Sequence, residues 1–93
     1  MSAERLWRVE FIAEAARELH KLGRQAERLI LHYLRQRIAT SDDPRRFGRP
    51  LTGDLKGFWR YRVGDYRIVA SIESDRMVVL VVTVGHRREV YDR

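Results

Sequence analysis

Hydrophobic residues recur at helical spacing in two neighbouring stretches of the N-terminal half. The first spans residues 13–23 and ends at Gly23, a residue type that commonly follows the last turn of a helix. The second starts at Gln25 and keeps the i, i+3, i+4, i+7 spacing as far as Ile38. The apolar positions of the two stretches are Ala15, Leu19, Leu22, Ala26, Leu29, Ile30, Tyr33, Leu34 and Ile38. The pattern predicts two helices that form a hairpin through Gly23.

Shorter runs have the pattern of strands. Residues 6–11 alternate between apolar and polar positions, and further strands are predicted at 57–63, 66–73 and 77–84. The last of these, MVVLVVTV, hardly alternates, which is typical of an interior strand covered on both faces. Gly64-Asp65 predicts a two-residue hairpin turn between the preceding two strands.

Residues 39–54 contain two prolines and two glycines and are predicted to form a loop. We do not interpret this loop as a domain linker, because neither flanking part could fold alone. The 93 residues are therefore expected to form a single domain, 1–93. The element order β-α-α-β-β-β predicts an α+β fold: an N-terminal strand, a two-helix hairpin and three antiparallel strands, with the helices on one face of the sheet.

The composition is that of a globular, basic protein. Hydrophobic residues make up 44% of the chain, and the net charge is +6. Between Arg45 and Arg67 there are seven bases and two acids, so about a quarter of the chain carries most of the excess charge. Such a patch favours a polyanion as a partner: RNA, DNA or an acidic protein segment.

Several classes of protein are excluded or disfavoured. The absence of cysteine excludes disulfides and thiolate zinc sites. No apolar run reaches the roughly 18 residues of a membrane span, and the N-terminus lacks the apolar segment of a secretion signal. We therefore expect a cytoplasmic protein with no membrane association.

The hairpin sequence WRYRVGDYRIV (residues 59–69) concentrates positive charge. If Val63 pairs with Tyr66 across the turn, Arg62 lies opposite Arg67, and Arg60 lies on the same face as both. Like charges opposite each other weaken a sheet. A phosphate-rich ligand would replace that repulsion with charge-assisted hydrogen bonds; the alternative is a set of incidental surface arginines. Trp59, Tyr61 and Val63 lie on the opposite face of the strand, which we expect to pack against the core.

A second cluster follows the last predicted strand in VGHRREVYDR (residues 84–93). His86, Arg87 and Arg88 come directly after Gly85, and Glu89 and Tyr91 follow. Because the end of this strand lies beside its neighbours, we expect these groups to reach the arginine face of the hairpin. His86 or Tyr91 taken singly is more often structural than catalytic.

At this point the chain resembles a known family. RYRVGDYRIV, the valine-rich strand and VGHRREVY are similar to the RelE branch of the RelE/ParE superfamily of toxins from type II toxin–antitoxin systems. The resemblance covers nearly the whole chain. It implies a toxin that enters the ribosomal A site, cleaves mRNA and arrests translation, and that a cognate antitoxin, RelB-like or of another type II class, neutralises in a hetero-oligomer.

The resemblance also implies site residues. Family members carry basic residues at positions matching Arg60 and Arg62, arginines matching Arg67 and Arg87, and a tyrosine matching Tyr91. Cleavage by attack of a 2′-hydroxyl on the adjacent phosphate needs a base, positive charge at the phosphorane and an acid. This chemistry needs no metal, and we expect neither metal nor cofactor.

The general base remains open at this stage, because arginine stands at 60 and 62 where the family often has lysine. A guanidinium is a poor base. His86 and Tyr91 are the favoured candidates, and Glu89 is a third. Either His86 or Arg87 is a candidate for assisting the leaving group. The remaining predicted RNA contacts are Arg45, Arg46, Arg49, Lys56 and Arg88.

Two rival functions remain. A ParE-like toxin shares this fold and inhibits DNA gyrase without cutting RNA. A non-enzymatic module of a different class would use the arginine face only to dock an acidic or amphipathic peptide. The basic strand combined with the terminal arginine and tyrosine favours the nuclease.

Overall fold

A five-stranded mixed sheet forms the framework of the protein, in the order β1-β5-β4-β3-β2. The computed structural model describes residues 5–90. Strand β1 runs parallel to β5, and all other neighbours are antiparallel. The predicted element order and α+β class are confirmed, and the valine-rich strand is an interior strand, as expected. The strands are β1 (Arg8–Phe11), β2 (Arg49–Pro50), β3 (Trp59–Val63), β4 (Tyr66–Glu73) and β5 (Val78–His86).

The predicted helical hairpin is also confirmed. Helix α1 spans Ala13–Lys21 and α2 spans Arg24–Tyr33, and a single π-helical segment, Leu34–Ile38, continues α2 to the predicted end. Gly23 has a φ of 95°, a conformation that favours glycine and allows the chain to reverse between the helices. Neither helix in the described part of the chain is long and apolar enough to cross a membrane.

The main hydrophobic core lies between the helices and one face of the sheet. Ile30 of α2 and Ile68 of β4 are fully buried there. Tyr61 of β3 is fully buried too, and its hydroxyl donates a hydrogen bond to the carbonyl oxygen of Pro44 (2.9 Å). Burial raises the pKa of Tyr61. One position of the predicted helical stripe differs: the side chain of Leu29 is 47% exposed, because the stripe is wider than the surface that the sheet covers.

Helix α1 is tied to β5 by a side-chain contact. Strand β1 pairs with β5 only as far as Val81, so the last residues of β5 have no strand on that side. Glu18 fills part of this gap: its Oε1 accepts a hydrogen bond from the backbone N–H of Val84 (3.0 Å). The contact gives a hydrogen-bond acceptor to the partly buried N–H of Val84, which has no partner strand on this side of the sheet.

The segment predicted as a loop, 39–54, contains more structure than its sequence indicated. It includes 3₁₀ turns at Pro44–Phe47 and Gly53–Leu55 and the two-residue strand β2. Strand β2 is the edge of the sheet, where Arg49 pairs with Arg60 and Pro50 with Trp59. Two residues are too few to show alternation, and proline is tolerated on an edge strand.

Candidate nucleic-acid interface

Five arginines converge on the sheet face opposite the helices. The register of β3 and β4 places Arg62 opposite Arg67 and Arg60 opposite Val69, as predicted. The backbone N–H of Arg87 donates to the carbonyl oxygen of Asp65 (2.7 Å), which fixes the end of β5 against the hairpin turn. We call the following residues the arginine cluster: Arg49, Arg60, Arg62, Arg67 and Arg87.

Two members of the cluster are nearly buried. Arg60 is 6% exposed and Arg67 is 7% exposed, whereas Arg62 is an exposed residue. The Nη1 of Arg67 donates to the carbonyl oxygens of Gly64 and Tyr66, each at 3.0 Å. Arginine is rarely this buried unless its charge is compensated. These two side chains are therefore not incidental surface arginines.

The cluster accumulates charge at an electrostatic cost. Burial lowers the pKa of Arg60, and the charges of Arg62, Arg67 and Arg49 lower it further. Burial likewise lowers the pKa of Arg67, as do the charges of Arg62 and Arg87, while Asp65 acts in the opposite direction. Both guanidinium groups thus sit where a positive charge is disfavoured. An anion bound against them would relieve this cost.

A small apolar cluster lies on the same face. Leu51, Val69 and Val90 are buried in it, and Leu55, Phe58 and Val82 pack around them. A pocket of about 150 Å³ opens there; its lining consists of Leu55, Phe58, Val69, Val82, Thr83, Glu89 and Val90. We call it the face pocket. Sequence reasoning missed it, although alternation along β3 could have placed Phe58 on the side of Arg60.

The C-terminal turn passes closely over Gly85. A Cβ atom at this position would lie 2.8 Å from Cγ2 of Val90, so only glycine leaves enough room. Gly85 pairs with Arg67, which places this contact on the face of the arginine cluster. The chain that carries Arg87 therefore folds back against the candidate site.

Among the described residues that were predicted to be catalytic, His86 lies apart from the cluster. It pairs with Tyr66, and the two rings pack edge to face with centroids 6.1 Å apart. Tyr66 packs against the main core, on the helix side of the sheet. The Nδ1 of His86 accepts a hydrogen bond from the backbone N–H of Arg88 (3.3 Å). The expectation that His86 reaches the arginine face is therefore wrong.

A β-bulge explains the position of His86. Val69 pairs with Thr83 but Ala70 pairs with Val81, which leaves Val82 as an extra residue in β5. A bulge of this kind shifts the alternation of side chains by one position. It turns the side chain of His86 to the helix side and leaves Gly85 on the cluster side.

The predicted RNA contacts fall into separate places. Arg49 belongs to the arginine cluster, whereas Arg45 and Arg46 lie on the helix side. Arg45 contacts Asp43 (3.1 Å), and its guanidinium lies 6.0 Å from the centre of the Trp59 ring. Arg46 forms an ion pair with Asp42 (2.7 Å).

Two further predicted contacts, Lys56 and Arg88, are exposed. Lys56 directly follows the second 3₁₀ turn, and Arg88 lies in the C-terminal turn. Tyr91 lies outside the described residues.

The sequence and fold are similar to those of known toxins. A family model described as the ParE toxin of a type II toxin–antitoxin system, parDE, matches residues 9–91. Toxin RelG of Mycobacterium tuberculosis is 32% identical over 85 residues, which cover 91% of this chain and 95% of the relative. Toxin RelE of the same organism is 30% identical over 91 residues, covering 98% of this chain and 92% of the relative.

Solved structures agree with these relatives. The toxin–antitoxin complex RelBE2 from M. tuberculosis contains a chain that matches with a TM-score of 0.77 and 28% identity, covering 96% of this chain and 100% of that one. The RelE–RelB complex of Pyrococcus horikoshii OT3 shares the fold, with a TM-score of 0.65, 23% identity and coverage of 90% and 98%. The chain therefore belongs to the RelE/ParE superfamily of type II toxins, as a RelE-like member.

Proposed function

We propose that this toxin is an endoribonuclease that cleaves mRNA in the ribosomal A site and thereby arrests translation. The observation that carries the proposal is the arginine cluster, in which two nearly buried guanidinium groups have pKa values lowered by burial and by neighbouring positive charges. A phosphate backbone is the ligand that such a cluster fits best, because each phosphate accepts several charge-assisted hydrogen bonds.

In the proposed reaction, the 2′-hydroxyl of one nucleotide attacks the adjacent phosphorus, and the bond to the 5′-oxygen of the next nucleotide breaks. The products are a cyclic phosphate and a free 5′-hydroxyl. Arg60 and Arg67 stabilise the extra negative charge of the phosphorane from nearly buried positions on adjacent strands, so that little reorganisation is needed. The more exposed Arg49 and Arg62 hold the flanking phosphates.

Proton transfer needs a base and an acid beyond these groups. A guanidinium remains protonated at neutral pH even with a lowered pKa, so Arg60 and Arg62 are not bases. His86 contacts Tyr66 on the other face of the sheet, which disfavours the histidine. We therefore assign the base to Tyr91, whose place in the sequence matches the tyrosine of the family; a phenol is a group whose pKa positive charges can lower. Arg87, exposed at the edge of the cluster, donates a hydrogen bond to the leaving 5′-oxygen, which takes its proton from water.

Primer extension on mRNA from translating ribosomes tests the proposal. The purified toxin is expected to produce cuts at defined codon positions, and Arg87→Ala and Tyr91→Phe are expected to abolish or strongly reduce them. Arg76→Ala is the matched control, because Arg76 is an exposed arginine at the opposite end of the sheet, in an ion pair with Glu73 (2.7 Å). Intact mRNA with folded wild-type toxin would refute the proposal, and unchanged cleavage by Tyr91→Phe would remove the assigned base.

Gyrase inhibition is the second candidate, because the matching family model is described by its ParE members. A supercoiling assay with purified gyrase separates the two functions. The endoribonuclease proposal expects no inhibition at toxin concentrations that cleave mRNA. Inhibition without cleavage would favour the gyrase function, and neither activity would leave a module that only binds an acidic peptide.

We also propose a cognate antitoxin as the protein partner, and the cytoplasm as the location, since translating ribosomes are found there. The similar RelBE2 chain was solved as a toxin–antitoxin complex, which supports such a partner. A small protein encoded beside this one is expected to co-purify with it as a hetero-oligomer and to suppress its cleavage of mRNA. Cleavage that persists in the presence of that protein would argue against this partner.

A further inference from the structure

We propose that the face pocket binds one unstacked nucleobase of the RNA strand and that Glu89 makes guanine the preferred base. The inference rests on the proposed function, because it assumes that RNA phosphates occupy the arginine cluster. It adds a base-reading site beside the arginines that the proposed function assigns to the RNA backbone. The evidence is the position, the size and the lining of the pocket.

The pocket directly adjoins the arginine cluster. Side chains alternate along a strand, so Phe58, Arg60 and Arg62 project from the same side of the chain. Val69 lines the pocket and is the cross-strand partner of Arg60. The Cβ atoms of such partners are about 5 Å apart. An RNA strand with a phosphate bound against Arg60 therefore has a neighbouring base within reach of the pocket.

The dimensions of the pocket suit a single flat ring system. Its volume of about 150 Å³ lies below the roughly 300–1,000 Å³ of pockets that enclose drug-sized ligands. Four aliphatic side chains and the ring of Phe58 form most of its wall. Proteins recognise single-stranded RNA by stacking splayed bases on aromatic rings of this kind.

Two polar side chains, Glu89 and Thr83, complete the lining. A carboxylate only accepts hydrogen bonds, whereas a hydroxyl both donates and accepts. Guanine offers two adjacent donors, N1–H and the 2-amino group, which can bind both carboxylate oxygens. Uracil offers one donor between two carbonyl oxygens, which would repel the carboxylate. Glu89 then faces a base edge instead of the phosphate backbone.

An apolar side chain from a protein partner is the other conceivable occupant. The charges around the pocket favour the nucleotide, because the neighbouring arginines fit a ligand that joins an anionic group to a flat ring. A carboxylate at the rim also fits a ring with N–H donors better than an aliphatic side chain.

Binding of mononucleotides to the free toxin tests the proposal without the ribosome. The probes are guanosine 5′-monophosphate, uridine 5′-monophosphate and inorganic phosphate, and the readout is the NMR shifts of the methyl groups of Val69, Val82 and Val90. We expect the guanosine nucleotide to shift these methyl signals and to bind about tenfold more tightly than the uridine nucleotide. Inorganic phosphate is expected to leave the methyl signals in place while it shifts the arginine signals.

Variants separate stacking from base reading. Phe58→Leu keeps an apolar wall but removes the aromatic ring, so it is expected to weaken the binding of both nucleotides about tenfold. Glu89→Gln is expected to reduce the affinity for the guanosine nucleotide and to leave that for the uridine nucleotide unchanged. Glu14→Gln is the matched control, an exposed carboxylate on α1.

Two outcomes overturn the proposal. Methyl signals that stay unmoved by every nucleotide, but shift with the antitoxin, would assign the pocket to the protein partner. Equal affinities for the two nucleotides would remove base selection by Glu89. Either result is independent of the proposed function, because mRNA cleavage by the same preparation shows separately whether the toxin is a nuclease.

Discussion

The substitution Gly85→Ala tests how the C-terminal turn is held against the arginine cluster. The added Cβ would lie 2.8 Å from Cγ2 of Val90 and 4.0 Å from Cβ of Glu89. Val90 is 7% exposed and packs with Leu51 and Val69, and as a β-branched residue it has few alternative rotamers. The turn must therefore move away from the sheet to accommodate the methyl group.

The expected magnitude follows from two opposing effects. Overpacking a tight contact costs about 1–3 kcal/mol. Replacing glycine with alanine at a position with ordinary backbone angles stabilises by about 0.4–1 kcal/mol, because the unfolded chain loses freedom. The φ of Gly85 is not positive, so this second effect applies. We expect Gly85→Ala to lower the free energy of unfolding by about 1 kcal/mol.

A double-mutant cycle with Val90→Ala isolates the contact. Removal of Cγ2 makes room for the new methyl group, so Gly85→Ala should be stabilising by about 0.5 kcal/mol in the Val90→Ala background. Urea denaturation of the wild type, the two single variants and the double variant gives the free energy of unfolding of each. The interaction energy is the difference between the effect of Gly85→Ala in the wild-type background and its effect in the Val90→Ala background. The same effect of Gly85→Ala in both backgrounds would refute the described contact.

Three further predictions concern the rest of the molecule. Glu18→Ala leaves the N–H of Val84 without its acceptor and should lower the free energy of unfolding by about 1–2 kcal/mol. Glu18→Gln keeps an acceptor oxygen and should recover most of that loss. Equal losses for the two variants in urea titrations would contradict the hydrogen bond. Burial raises the pKa of Tyr61 above its ordinary 10.0, so the folded state retains this proton more strongly and stability should fall as the pH rises above about 10. Tyr61→Phe should flatten that fall in thermal melts, and an unchanged slope would contradict it. Tripolyphosphate should raise the Tm more than sodium chloride at equal ionic strength, because it binds the arginine cluster of the folded state; equal shifts would show that the cluster holds no anion.

The parts of the site that depend on neighbouring residues could be predicted from the sequence. A two-residue turn at Gly64-Asp65 fixes the register of β3 and β4, and the period of two then places Arg60, Arg62 and Arg67 on one face. The helical hairpin follows from spacing in the same way. Leu29 shows the limit, since periodicity predicts a face but not how far the sheet extends beneath it.

The tertiary structure alone decided which of the charged residues meet, and in what environment. The extra residue Val82 in β5 reverses the alternation of side chains and turns His86 away from the cluster. The sequence does not indicate this bulge, because the valine-rich strand has almost no alternation that an extra residue could interrupt. Arg45 is drawn to the helix side by contacts with Asp43 and with Ser74, the latter 29 residues away along the chain. The near burial of Arg60 results from β2 on one side and the remaining strands on the other. Composition and period thus determined the fold and the sign of the charge, whereas the burial of those charges depends on contacts between distant parts of the chain.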